Sequence, residues 1–246
     1  MKKIYLTIDD GPSQYMTEKI DFLLKNEIPS ICYCRGEFIE KNSQKLIDAI
    51  ERGVIIGNHS FSHPYFSEIS IDLAKEEVLK TESLIDKAYA QARCSRPYKL
   101  FRFPFLDKGG GRSYLSPYGK EQKERIDIFQ QFLFSQGFQK AFFKGVSYNY
   151  YKKAQLDKYL DAPWTFDAKE YALFSQKSMK KNGLYAAKDF IKRMFSQDPE
   201  NGLGITYEES NDIVLFHDFE QTHHLFQVMV ETLLQRKVEF ALPYMG

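Results

Sequence analysis

Cysteine is scarce in this sequence: three in 246 residues, an odd set without the spacing of a zinc ribbon. Cys32 and Cys34 stand two apart in the strand-like run "SICYC", the pattern of buried thiols on one strand face. Long hydrophobic runs are also missing. No stretch of roughly 18 apolar residues occurs, so no membrane-spanning helix is expected. The opening "MKKIYLTIDD" offers too few apolar residues before its aspartates for the hydrophobic part of a signal peptide. A cytoplasmic address is therefore expected, or a secreted one if a leader has been trimmed away. Charge of one sign is lacking too: 34 Lys and Arg nearly cancel 33 Asp and Glu, leaving a formal +1. With no block of Lys and Arg, nothing provides an electrostatic footprint for nucleic acid or a membrane surface.

What the sequence does hold is apolar and aromatic. With 43% hydrophobic residues, 21 Phe and 16 Tyr, a sizeable core is expected. Short apolar runs alternate with amphipathic stretches. "KIYLTI", "PSICYC", "VIIG", "YKLFRF", "QKAFF", "APWTF", "DIVLF" and "VEFAL" read as strands. Between them lie helical spacings, including a long one from about Ser70 through Ile71, Ala74, Val78, Ile85 and Ala88. Alternation about seven or eight times over predicts a parallel α/β barrel forming a single domain over residues 1–246. No internal repeat or linker interrupts it.

Barrels of this kind place functional groups at the carboxyl ends of their strands. Asp9 and Asp10 end the first strand in "TIDDGP", His59 and His63 follow the third in "NHSFSHP", and Arg102 ends the fourth in "FRFPF". Asp167 ends the sixth, and His217 ends the seventh in "VLFHD". If "NHSFSHP" forms a helical turn, its two imidazoles face one way and can share an ion with a carboxylate of strand one; otherwise they are surface histidines. A cation would relieve the repulsion of the adjacent aspartates, one ligating while the other takes a proton from water. Arg102, set among apolar residues, calls for a carboxylate partner. His217 could give a proton to a leaving group, or simply cap its strand.

In that order, "TIDDGP", "NHSFSHP", "FRFP" and "VLFHD" resemble the successive motifs of the polysaccharide deacetylases with NodB homology, carbohydrate esterase family 4. The resemblance is close from Lys3 to about Pro104 and looser beyond. It implies a distorted (β/α)7 barrel that removes an N-acetyl or O-acetyl group from a sugar with a divalent metal ion, commonly zinc, with cobalt or nickel as alternatives. By the same resemblance Asp9 is the general base, Asp10, His59 and His63 hold the metal, and Arg102 orients Asp9. The backbone N–H of Phe105, at a place where the family often has tyrosine, helps bind the oxyanion. His217 is the general acid and Leu215 lines the acetyl pocket. Where the family has Asp-x-x-Asp-Trp after a Trp-containing strand, this chain has "WTFDAKEY". Trp164 and Tyr171 therefore join the substrate-contacting set, and Asp167 or Glu170 supports His217, with the choice between them open.

About 60 residues separate Arg102 from Asp167, more than a helix and strand need, so an elaborated insertion is expected at about 107–160. Its Tyr114, Tyr148, Tyr150 and Tyr151 either stack on sugar rings or build out the barrel wall. An acetylated carbohydrate is the expected partner, with no nucleic acid and no membrane span. Two other functions compete: an intracellular small-molecule amide hydrolase on the same barrel, and a non-catalytic carbohydrate-binding protein.

Overall fold

The first strand, β1 (Lys3–Gly11), alternates in what it faces: Ile4, Leu6 and Ile8 join a large apolar cluster with the surrounding helices, whereas Tyr5 packs inward against Ile31, Tyr33, Ile55 and Leu100. Burial on both faces is the pattern of a strand inside a parallel sheet. In the computed structural model, which describes residues 1–111, 118–196, 205 and 207–245, β1 pairs in parallel with β2 (Ser30–Cys34) on one side. On its other side lies β6 (Asp212–His217). β3 (Ile55–Asn58) extends the sheet beyond β2, and β5 (Phe166–Asp167) extends it beyond β6. β7 (Glu239–Phe240) runs parallel beside the start of β1.

The ring between β3 and β5 is closed by single hydrogen bonds. Asn58 N–H donates to Leu100 O at 2.9 Å, Arg102 N–H to Asn58 O at 3.0 Å, and Ala162 N–H to Phe101 O at 2.9 Å. The result is a distorted parallel α/β barrel. Helices α1 (Met16–Lys25), α2 (Gly36–Lys41), α3 (Ser43–Glu51) and α4 (Ile71–Gln91) wrap its first half. Ser70 caps α4 by accepting from Leu73 N–H at 3.2 Å. Among the described residues no helix is long and apolar enough to cross a membrane.

Several expected strands are shorter or elsewhere. "YKLFRF" contributes only an isolated bridge at Phe101, because Pro104 has no N–H to continue a ladder. "APWTF" pairs only from Phe166; the carbonyls of Ala162 and Pro163 accept instead from the Arg102 guanidinium. "QKAFF" leaves the barrel sheet: β4 (Ala141–Phe142) pairs antiparallel with β8 (Tyr244–Met245). Nor do the described insertion tyrosines form an exposed stacking surface. Tyr148 and Tyr151 are buried with Tyr5 and Tyr33 inside the barrel, the Tyr148 hydroxyl donates to Asp212 at 2.8 Å, and Tyr150 is half-buried against the same cluster. Tyr114 lies outside the described residues.

Candidate active site

Two consecutive residues of a regular strand point to opposite faces, yet Asp9 and Asp10 both line one cavity. The cause is local. The β1–β2 register slips between Asp9 and Gly11, and Asp10 adopts φ 62°. This bulge turns the Asp10 side chain back to the side that Asp9 already faces. Opposite them, the segment after β3 brings His59 and His63 in by a route other than the expected helical turn. Ser60 and His63 both have φ 63°, and these left-handed residues fold the loop so that the imidazoles lie 4.8 Å apart, centroid to centroid.

Asp10 Oδ1 lies 3.6 Å from His63 Nε2 and 4.0 Å from His59 Nε2, and it is a buried oxygen without a hydrogen-bond partner. His59 donates its Nδ1–H to the carbonyl of Arg102 at 2.8 Å, so its Nε2 lone pair faces Asp10. Burial, and then the neighbouring His63, hold His59 well below the usual imidazole range. Burial and the Arg35 charge push His63 down to about 3. Two neutral imidazoles and a buried carboxylate oxygen that accepts no hydrogen bond are the donor set of a divalent cation. Ligand atoms of a tetrahedral zinc sit about 3.3 Å apart, close to the spacing here. The residues therefore fit a metal ion.

Asp9 divides its oxygens. Oδ1 accepts from Arg102 Nη1 at 2.7 Å, while Oδ2 faces His59 Nε2 at 3.4 Å. Arg102 is fully buried, and its guanidinium also donates to Thr7 Oγ1, Ala162 O and Pro163 O. Burial pushes the Asp9 carboxyl up to about 6 against the opposing pull of Arg102 and His217. Even with its cationic partner this carboxylate retains basicity near neutrality.

On the far wall Glu170, not Asp167, holds His217. One Glu170 oxygen takes His217 Nδ1–H at 2.9 Å and the other takes the His217 backbone N–H at 3.1 Å; Asp167 Oδ1 stands off at 4.0 Å. Asp167 instead accepts from Lys169 N–H at 2.8 Å and from the Tyr171 hydroxyl at 3.1 Å. Burial would lower the His217 pKa, but the Glu170 hydrogen bond and the Glu170 and Asp167 charges lift it to about 10. Phe219 stacks on its ring at 4.9 Å.

The cavity between these walls measures about 590 Å³. Asp9, Asp10, His59, His63, Phe105, Trp164, Asp167, Tyr171, Leu215 and His217 all line it, while Arg102 and Glu170 stand just behind the surface. Phe105, with φ 58°, stacks on Tyr65 at 4.0 Å beside the His63 ring. Sequence reasoning missed Arg35, whose Nη1 lies 3.6 Å from Asp10 Oδ1, although its place directly after β2 was a usable signal. It also gave no role to Asp218, which binds Ser13 N–H at 2.6 Å and Lys19 Nζ at 2.7 Å, tying the β1 loop to the end of β6.

A family model described as polysaccharide deacetylase matches residues 1–130. Among curated proteins, the chain is 31% identical over 99 residues to a peptidoglycan-N-acetylglucosamine deacetylase of Bacillus cereus, covering 39% of this chain and 36% of that one. It is 27% identical over 92 residues to a chitooligosaccharide deacetylase of Bradyrhizobium, covering 37% and 42%. The matches thus span well under half the length of these relatives. Among solved structures, a family 4 carbohydrate esterase of Streptomyces lividans in complex with acetate aligns with a TM-score of 0.58 at 16% identity, over 98% of this chain and 92% of that one. A pseudoenzyme of carbohydrate esterase family 4 from Bacillus anthracis aligns with a TM-score of 0.60, also at 16% identity, over 97% and 62%. Likeness at these identities is likeness of fold.

Proposed function

This chain belongs to the polysaccharide deacetylase family, and on that premise we propose that it is a metal-dependent hydrolase that removes the acetyl group from an N-acetylated, or O-acetylated, sugar of an oligosaccharide or polysaccharide and releases acetate. One observation carries the reading: Asp9 Oδ2 lies beside the His59, His63 and Asp10 ligand set while Asp9 Oδ1 is bound to Arg102. A fold shared with a pseudoenzyme does not imply activity, so the proposal rests on filled positions, base and acid included.

Asp10 Oδ1, His59 Nε2 and His63 Nε2 would hold a divalent cation, zinc first and cobalt or nickel as alternatives. When bound, such an ion acidifies a ligated water and polarises an acyl oxygen. Asp9 accepts the proton of the attacking water on Oδ2, since Arg102 occupies Oδ1. Burial raises this carboxylate above its ordinary value, which suits it to accept that proton. The Phe105 backbone N–H donates to the acyl oxygen as it gains charge. His217 gives its Nε2 proton to the departing nitrogen as the C–N bond breaks, and Glu170 stabilises the imidazolium beforehand. Leu215, Trp164 and Tyr171 exclude water around the acetyl methyl.

Acetate release from chitooligosaccharides and acetylated xylan, measured beside metal content, tests the proposal. Release that a chelator abolishes and zinc restores supports it. Release without metal would favour an amide hydrolase of another kind, and saccharide binding without any release would make the chain a binding protein.

A further inference from the structure

The segment 58–63 supplies two of the three proposed metal ligands, and its main-chain N–H groups are all held by protein acceptors. Each of its six N–H groups meets a protein acceptor: Asn58 donates to Leu100 O, His59 to Cys34 O, Ser60 to Asn58 Oδ1, and His63 to Ser60 Oγ. The remaining two, those of Phe61 and Ser62, both donate to Oε2 of Glu77 at 2.9 and 2.7 Å, and the Ser62 hydroxyl donates to Glu77 Oε1 at 2.9 Å. Glu77 stands on α4, outside the loop and away from the cavity lining. From the opposite side, Gly36 N–H and Glu37 N–H at the start of α2 donate to the carbonyls of Ser60 and Phe61 at 3.0 and 3.1 Å. The Phe61 ring is pinned beneath Lys80 Nζ, 3.2 Å from its centroid.

This clamp opposes a real tendency. Ser60 and His63 hold a left-handed conformation that side chains with a Cβ disfavour, and a free loop would relax out of it. Relaxation at His63 would carry its Nε2 away from Asp10. We propose that Glu77 is a positioning residue for the metal site, fixing the 58–63 loop in its ligand-presenting shape before any ion arrives. The inference rests on the metal-dependent reading above. Its chemistry is hydrogen bonding more than charge. A glutamine can place its carbonyl where Oε2 stands and offer its amide N–H to the Ser62 hydroxyl, whereas a methionine of similar length accepts nothing.

The test is zinc affinity of the folded protein, measured by competition with a chromophoric chelator. Glu77→Met is expected to weaken zinc binding about tenfold, the lower end for groups behind metal ligands, and Glu77→Gln to stay close to the parent. A folded Glu77→Met chain that binds zinc as tightly as the parent overturns the proposal, as does a Gln variant as impaired as Met. Hydrogen exchange on the zinc-free parent decides independently of any variant. Protected Phe61 and Ser62 amides support the proposal; exchange at free-loop rates, with α4 still protected, overturns it. A parent chain that binds no zinc would refute the functional reading instead, and the exchange result would still report on the clamp.

Discussion

The carboxylate of Glu170 grips His217 twice, at the ring Nδ1 and at the backbone N–H, with distances of 2.9 and 3.1 Å. Glu170 thereby orients the ring and makes the largest contribution to holding its imidazolium charge. Glu170→Gln should remove most of the lift on the His217 pKa, letting it fall from about 10 towards or below the ordinary imidazole value. The protonated acid is then lost at lower pH, and activity at pH 8 should drop by more than about tenfold. Asp167→Asn, which removes a charge 4.0 Å away, should move the alkaline limb less. Rate profiles of the two variants check this; equal shifts would return the role to both carboxylates.

Asp9 and Asp10 should separate by mutation. Asp9→Asn is expected to keep its zinc yet lose about 10²–10⁴-fold in turnover, as for a general base. Asp10→Ala and His63→Ala should instead lose the metal. Metal content per chain and acetate release, measured on the same samples, distinguish the outcomes. Near-normal turnover in Asp9→Asn would remove it as the base.

The activity profile should be bell-shaped. Asp9 must be ionised to accept a proton, and burial raises its carboxyl to about 6 when no ion is bound. A cation at Asp10 favours that ionised form, which places the rising limb of the loaded enzyme below 6. His217 must be protonated to donate, so activity falls as pH passes about 10. A profile of kcat/KM in constant ionic strength is the measurement. A rate that keeps rising beyond pH 10 would exclude His217 as the acid.

Arg102→Met should be costly for the fold as well as the site. It strips the partner from a buried Asp9 and leaves the carbonyls of Ala162 and Pro163 without their donor. Breaking one side of a buried ion pair costs about 3–5 kcal/mol, readable as a lower urea midpoint. Arg102→Lys should recover only part of this, since an ammonium cannot match the geometry of four acceptors. Full recovery by lysine would show that charge alone suffices.

Hydrophobic patterning carried the barrel's first half, because β1, β2 and β3 are short apolar runs stopped by polar or glycine positions. Beyond it, "DIVLF" became β6 as expected, but "YKLFRF", "QKAFF" and "APWTF" fell short or paired elsewhere, and for the last of these the reason is physical. Main-chain groups near Ala162 bond to an arginine side chain instead of a neighbouring strand, and periodicity does not register such exchanges. At the site, the four-residue spacing of His59 and His63 pointed to a shared ion through a helical turn, yet two left-handed residues bring the rings together. The choice between Asp167 and Glu170 depends on Lys169 at φ 61° and the 3-10 turn after it, a backbone reversal without a sequence period. Tyr148 and Tyr151 show the limit of composition: aromatic residues that could meet a sugar are the same ones that can plug a barrel.

The bulge at Asp10 has a consequence for how such a site can be inherited. A one-residue deletion that straightened β1 would leave only one of two neighbouring carboxylates facing the cavity. On the proposed roles, the straightened chain would keep a base without a metal or a metal without a base. Point substitution elsewhere could not restore the lost partner, because what was lost is a position in the chain's frame and not a side chain. Both roles at the end of β1 therefore depend on a single irregular step in the backbone.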